Sequence, residues 1–169
     1  MEMIIVSDSH RNLNGLYFIT ERHPDADHYL HCGDSEFPLD DWERFSVVRG
    51  NSDGPFCDYE DDVHLALPTG DHVWITHGHL YATRLNLKRI IGEAKTFDPV
   101  PTIVCHGHTH RVDVRQKGGM LLINPGSVQS PRDGRIKTYV RLVITPETYD
   151  VQVLSVIDGK TLKAYQFPR

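Results

Sequence analysis

Five short apolar runs end in the same kind of punctuation, and that constrains the chain more than any other feature. Met3–Val6 leads into Ser7-Asp8-Ser9-His10, and Asp27–His31 into Cys32-Gly33-Asp34. Phe45–Val48 leads into Gly50-Asn51-Ser52-Asp53, Val73–Thr76 into His77-Gly78, and Ile103–Cys105 into His106-Gly107-His108-Thr109-His110. Short apolar runs bounded by turn residues read as buried strands. In α/β sheets the loops past the carboxyl ends of such strands converge on one crevice. Glycines there let the backbone turn sharply and let a ligand approach.

The remaining pattern supports an α/β chain. A helix is predicted from about Asn12 to His23, with Leu13, Leu16, Tyr17 and Thr20 on one face and Pro24 ending it. Val63–Leu67 and His72–Thr76 form a hairpin around Pro68-Thr69-Gly70-Asp71. A second helix is expected over Thr83–Thr96, with Thr83 as its N-cap and Leu87, Ile90, Ile91 and Ala94 at helical spacing. Val112 and Val114 alternate before a Gln116-Lys117-Gly118-Gly119 turn and Met120–Ile123. Strands follow over Tyr139–Thr145, Tyr149–Ile157 and Thr161–Phe167, the last two joined at Asp158-Gly159, a strong hairpin signal. The expectation is one domain over residues 1–169, with two stacked sheets and helices outside.

The bounds narrow the function. The 169 residues suit one domain with a real core. A net charge of -5 argues against a nucleic-acid surface, which needs a basic face. No apolar run reaches the length of a membrane span, and the first residues read as a strand, not a signal peptide. Cys32, Cys57 and Cys105 show no CxxC spacing, which points to a reduced, cytoplasmic protein.

Asp8, His10, Asp34, Asn51, His77, His108 and His110 are the candidate ligands. Seven nitrogen and oxygen donors exceed what one ion plus a substrate needs, and suit two ions that share a carboxylate. Asp34 is the natural bridge, since it has two oxygens to offer. Imidazole, carboxylate and amide donors without thiolate favour Mn, Fe, Zn, Ni or Co. An oxygen cage for Ca or Mg would look different. His23, His28, His64 and His72 read as surface residues. His31 and His106 read as packed behind the ligands.

Asp8-Ser9-His10, Gly33-Asp34, Gly50-Asn51, Thr76-His77-Gly78 and Gly107-His108-Thr109-His110 resemble, in series, the five motifs of the calcineurin-like metallophosphoesterases. The chain is most similar to their small single-domain bacterial and archaeal phosphodiesterase branch, related in fold to the retromer subunit vacuolar sorting protein 29. Asn124-Pro125-Gly126-Ser127 also matches that branch. The resemblance implies a four-layer αββα sandwich of two mixed sheets flanked by helices. It implies a first metal on Asp8, His10, Asp34 and His110, and a second on Asp34, Asn51, His77 and His108, with Mn the first choice. It implies hydrolysis of a small phosphodiester by hydroxide bridging the two ions, at a site whose formal charge is about +1. The chain departs from the superfamily's phosphatases at Ser52, where they carry histidine after Gly-Asn, which favours diesters over monoesters. Arg11, where glycine often stands, is a candidate phosphate grip; Asp53 and His79 are candidate proton donors to the leaving group. Two acidic stretches, Glu36–Trp42 and Pro55–Asp62, are candidate rims. A non-catalytic interaction module of the same fold, a phosphomonoesterase and a metal store are the competing readings; a homo-oligomer is left open.

Overall fold

The computed structural model describes residues 1–37, 44–54 and 57–169. Two sheets carry the architecture. One has six strands in the order β11-β10-β9-β1-β2-β3, the other five in the order β4-β5-β6-β8-β7. β1 (Glu2–Val6), β2 (His28–His31) and β3 (Phe45–Val47) run parallel. β9 (Thr138–Ile144), β10 (Thr148–Ser155) and β11 (Thr161–Pro168) extend that sheet antiparallel from β1. In the second sheet β5 (His72–Thr76), β6 (Ile103–Cys105) and β8 (Met120–Pro125) are parallel. β4 (Asp62–Ala66) and β7 (Val112–Lys117) pair antiparallel at its edges. Both sheets are therefore mixed, as expected.

Strand alternation builds three apolar layers. Met3 and Ile5 of β1 face Val73, Ile75, Ile103, Cys105, Leu121 and Ile123 between the sheets. Ile4 and Val6 point the other way and pack on Leu16 and Ile19. Those two belong to helix α1 (Leu13–Arg22). Trp74, Val104 and Leu122 line the outer face of the second sheet and meet Ile90 and Ala94 of helix α2 (Lys88–Ala94). Central strands buried on both faces need continuous apolar sequence, which is why these runs do not alternate with polar residues. Among the described residues no helix is long and apolar enough to cross a membrane.

Some expectations change. α1 is capped by Asn12, whose side chain accepts from Gly15 N at 3.0 Å. Its buried face is Gly15, Leu16 and Ile19, while Tyr17 and Phe18 are exposed. The predicted face was thus rotated: Gly15 lets the helix sit close against Val128, turning Tyr17 outward. The second helix starts later than expected. A 3-10 turn spans His79–Tyr81, and Ala82 then takes a left-handed φ of 53°. Thr83 is not a helix cap: its hydroxyl donates to Gly78 O at 3.1 Å. Asn86 Oδ1 accepts from Lys88 N at 2.9 Å where α2 begins.

Three surface assignments need similar revision. His23 is partly buried, held between Tyr139 Oη at 2.9 Å and Glu2 Oε1 at 3.2 Å. His28 and His72 are half-buried strand residues, and His64 is exposed. Within the acidic stretches, residues 38–42 and 55–56 lie outside the described residues. Asp61 pairs with Arg49, and Asp62 accepts from Trp74 Nε1, so those two carboxylates serve the fold.

Candidate metal centre

Main-chain hydrogen bonds tie the loop after β1 to that after β2, and the loop after β5 to that after β6, while Ser52 N of the loop after β3 donates to the Asp34 carboxylate. Asp8 N donates to Gly33 O and His10 N to Asp34 O, each at 3.0 Å. Gly107 N donates to His77 O, also at 3.0 Å. Gly107 has no room for a side chain: a Cβ would collide with Ser7 Oγ and stand 2.8 Å from Asp8 Oδ2. The residue must be glycine for the His108 loop to reach the Asp8 loop.

Donor atoms of Asp8, His10, Asp34 and His110 all lie within 4.8 Å of one another. His77 Nε2 sits 3.4 Å from Asp34 Oδ2 and 3.2 Å from Asn51 Oδ1. The His77 and His108 rings are 5.2 Å apart. His108 N donates to Asp8 Oδ2 at 3.2 Å. The structure thus gathers all seven candidates into one neighbourhood, with Asp34 touching both groups.

The outer nitrogen of three imidazoles is tied down. His77 Nδ1 donates to Cys32 O and His110 Nδ1 to Ser130 O, both at 2.7 Å. A carbonyl only accepts, so each Nδ1 carries a hydrogen and each Nε2 is turned inward. His10 Nδ1 meets Glu36 Oε1 at 2.6 Å. Such partners fix the tautomer and raise the basicity of a metal-binding histidine. Glu36 was placed by sequence only in an acidic rim; its position two residues past Asp34 was the available signal.

The backbone is strained where the candidates stand. Asp8 (φ 51°), His10 (41°), Asp34 (56°), His108 (69°) and His110 (57°) all occupy the left-handed region. Arg11 and Glu36 do so beside them. Each costs about 1–3 kcal/mol, and such residues collect at functional sites.

The electrostatics suit a cation. Burial raises the Asp34 carboxyl, but bonds from His77 and Ser52 outweigh it and hold the group well below the carboxylate range. Burial lowers His77, yet the carboxylates of Asp34 and Asp8 bring it above its ordinary value. Asp8 raises His110 in the same way, across 3.1 Å from Nε2 to Oδ1. These are carboxylate–imidazole pairs sharing a proton that a divalent ion would displace. His108 is pushed down to about 4, by burial first and then by His77 and Arg84, so the ring is neutral at about pH 7 and one of its nitrogens keeps a free lone pair. Among the described residues, Asp8 Oδ1 has only its ion-pair contact with His110, and His108 Nδ1 has no hydrogen-bond partner. Orphaned acceptors of this kind fit a metal ion.

A further layer holds the loops. His31, fully buried, lies 2.8 Å from Ser9 Oγ through Nε2. Asn124 Nδ2 donates to Gly107 O at 2.8 Å and reaches His106 Nδ1 at 3.2 Å. Ser127 Oγ donates to Asp8 O at 2.8 Å. Asp53 accepts from Asp34 N, Gly50 N, Glu36 N and Ser35 Oγ. Its oxygens are spent on the loops. Arg11 is exposed and leans on Glu36, donating to its carbonyl at 3.2 Å. Ser52 Oγ donates to Asp34 Oδ2 at 3.1 Å.

A two-sheet sandwich with this loop cluster defines the metallophosphoesterase class, and the comparisons agree. Residues 1–147 match the calcineurin-like phosphoesterase superfamily domain. The chain belongs to that family. It is 33% identical over 158 residues to the probable metallophosphoesterase YsnB of Bacillus subtilis, covering 90% of this chain and 89% of that one. It is 31% identical over 122 residues to the phosphodiesterase YfcE of Escherichia coli, covering 66% of this chain and 55% of that one. A predicted phosphoesterase from Streptococcus pneumoniae superposes with a TM-score of 0.91 at 29% identity, over 99% of this chain and 97% of that one. Vps29 from Entamoeba histolytica shares the fold, with a TM-score of 0.76 at 18% identity over 100% and 99% of the two chains.

Proposed function

We propose that this chain is a metal-dependent phosphodiesterase. One divalent ion sits on Asp8, His10, Asp34 and His110, a second on Asp34, Asn51, His77 and His108. Mn is the first choice, and Ni, Co, Fe and Zn suit the same donors. The observation that carries the reading is the convergence of Asp8, His10, Asp34 and His110 within 4.8 Å. When bound, the ions make a nucleophile of water at neutral pH and offset charge on the phosphoryl oxygens.

The chain's own residues do the rest. Asp34 links the two halves of the site. Cys32 O, Ser130 O and Glu36 keep three imidazoles aimed inward. Ser52 steadies Asp34 and leaves open the place where a histidine would assist a monoester. Of the two candidate proton donors, His79 is the one whose ring nitrogen is not spent on the loops, although burial and His77 lower its pKa and favour its neutral form. Its ring is 5.3 Å from His77 and 6.2 Å from His108, and its Nδ1 has no partner among the described residues. A non-catalytic interaction module of the same fold is the competing reading, but every candidate position here keeps a residue able to bind metal, which favours catalysis.

The domain is read as running over 1–169, because β10 and β11 complete the sheet that holds β1. The three cysteines are buried and show no CxxC spacing, which agrees with a reduced, cytoplasmic setting. Calorimetric titration of the metal-free protein with Mn tests the dinuclear site. Two equivalents are expected, with His110→Ala removing one and His108→Ala the other. A single equivalent in the parent chain refutes the two-ion arrangement.

A further inference from the structure

Beside the His108–His110 loop lies a second cavity of about 390 Å³. Arg84, Arg111, Arg115 and Arg132 line it, with Thr83 and Thr109. Its lining contains one carboxylate, Asp113, which is 2.6 Å from Arg115 Nε and so already paired. Among the described residues no carboxylate pairs with Arg84, Arg111 or Arg132. This is an unusual concentration of positive charge for a chain of net charge -5.

The cavity adjoins the candidate metal centre through its own wall. Thr109 stands between His108 and His110. Arg132 N donates to His110 O at 2.9 Å. Thr83 packs against Gly78, next to His77. The charges of Arg84 and Arg132 are felt at His108 and His110 respectively. Guanidinium groups pair with phosphate through two parallel N–H···O bonds. A phosphomonoester carries about -1.5 to -2 at neutral pH, which matches three unpaired guanidiniums better than a single carboxylate does.

We propose that this cavity is a second anion subsite, which seats a terminal phosphate on one arm of the substrate while the ester to be cut lies at the metal centre. The preferred substrate is then a phosphodiester that also bears a phosphomonoester. The proposal rests on the phosphodiesterase reading.

The test compares two esters with the same leaving group, p-nitrophenyl thymidine 5′-phosphate and its 3′-phosphorylated form, on the Mn-loaded protein. The phosphorylated ester is expected to show a KM about tenfold lower. Arg84→Gln/Arg132→Gln should lose that advantage, and Arg84→Lys/Arg132→Lys should keep part of it. Both arginines are exposed, so these variants are expected to fold. Equal KM values in the parent chain, or an advantage that survives the glutamine pair, overturn the subsite and leave the phosphodiesterase standing. Stimulation of the unphosphorylated ester by inorganic phosphate overturns it too, since the cavity would then take a free effector. If neither ester is cut, the phosphodiesterase reading fails. Calorimetry with thymidine 3′,5′-bisphosphate then decides the subsite: tighter binding to the parent than to the glutamine pair supports it, and equal or absent binding overturns it.

Discussion

His10 Nε2 and His110 Nε2 face each other at 3.5 Å, although 100 residues separate them. Glu36 and Ser130 O hold the far sides of the two rings at 2.6 and 2.7 Å. Two imidazole lone pairs turned toward each other repel unless a cation or a proton lies between them. Glu36→Gln should therefore weaken Mn binding by about 10–100-fold without unfolding the chain. Calorimetric titration of the variant checks this; unchanged affinity would mean that Glu36 does not orient His10.

Ser52 touches Asp34 twice, through its backbone N at 2.7 Å and its hydroxyl at 3.1 Å. Only the hydroxyl bond is lost on substitution, so Ser52→His should leave Asp34 in place. The new imidazole should assist the departing group of a monoester. The ratio of p-nitrophenyl phosphate to bis-p-nitrophenyl phosphate turnover is expected to rise about tenfold or more. A ratio that does not move would assign the substrate preference elsewhere.

His31 links protonation to stability. Burial, the largest influence, pushes it from the ordinary 6.5 down to about 4. The unfolded chain therefore takes up the proton first. Stability is full above 6.5 and drains as pH falls toward 4, with about 2 kcal/mol from this residue gone by pH 5. Urea unfolding with chelator present at pH 7.5 and pH 5 measures the loss. His31→Gln should show a smaller one, though not none, because buried His106 is also pushed down to about 4. An equal loss in parent and variant contradicts the assignment.

Away from the site, Asp71 ties the two sheets. Tyr149 of β10 donates to Asp71 Oδ1 at 2.5 Å, and Thr69, Thr102 and Arg169 surround the same carboxylate. Tyr149→Phe leaves a buried acceptor short of a donor and should cost about 1–3 kcal/mol in urea unfolding at neutral pH. An unmoved midpoint would show that the remaining donors suffice.

Much of this was legible in the sequence because the ligands follow strands. The runs Met3–Val6 and Ile103–Cys105 are apolar on both faces, and a run of that kind has few alternatives to a central strand. Gly118-Gly119 and Asp158-Gly159 announced their hairpins by the positive φ that such turns require. The start of α2 was not legible. Leu87, Ile90 and Ala94 have helical spacing, but nothing in the letters showed that Thr83 would turn back to Gly78 and hand the start to Asn86. The partners of His77 and His110 were hidden for a different reason. They are the carbonyls of Cys32 and Ser130, and any residue supplies a carbonyl.

The most direct test is hydrolysis. Stripped of metal, the protein should not cut bis-p-nitrophenyl phosphate. Turnover should return on adding Mn, Ni, Co or Zn, exceed that of p-nitrophenyl phosphate, and vanish in Asp34→Ala. No diester turnover with any of these ions, while calorimetry still shows metal bound, would contradict the phosphodiesterase reading and leave a metal-binding interaction module.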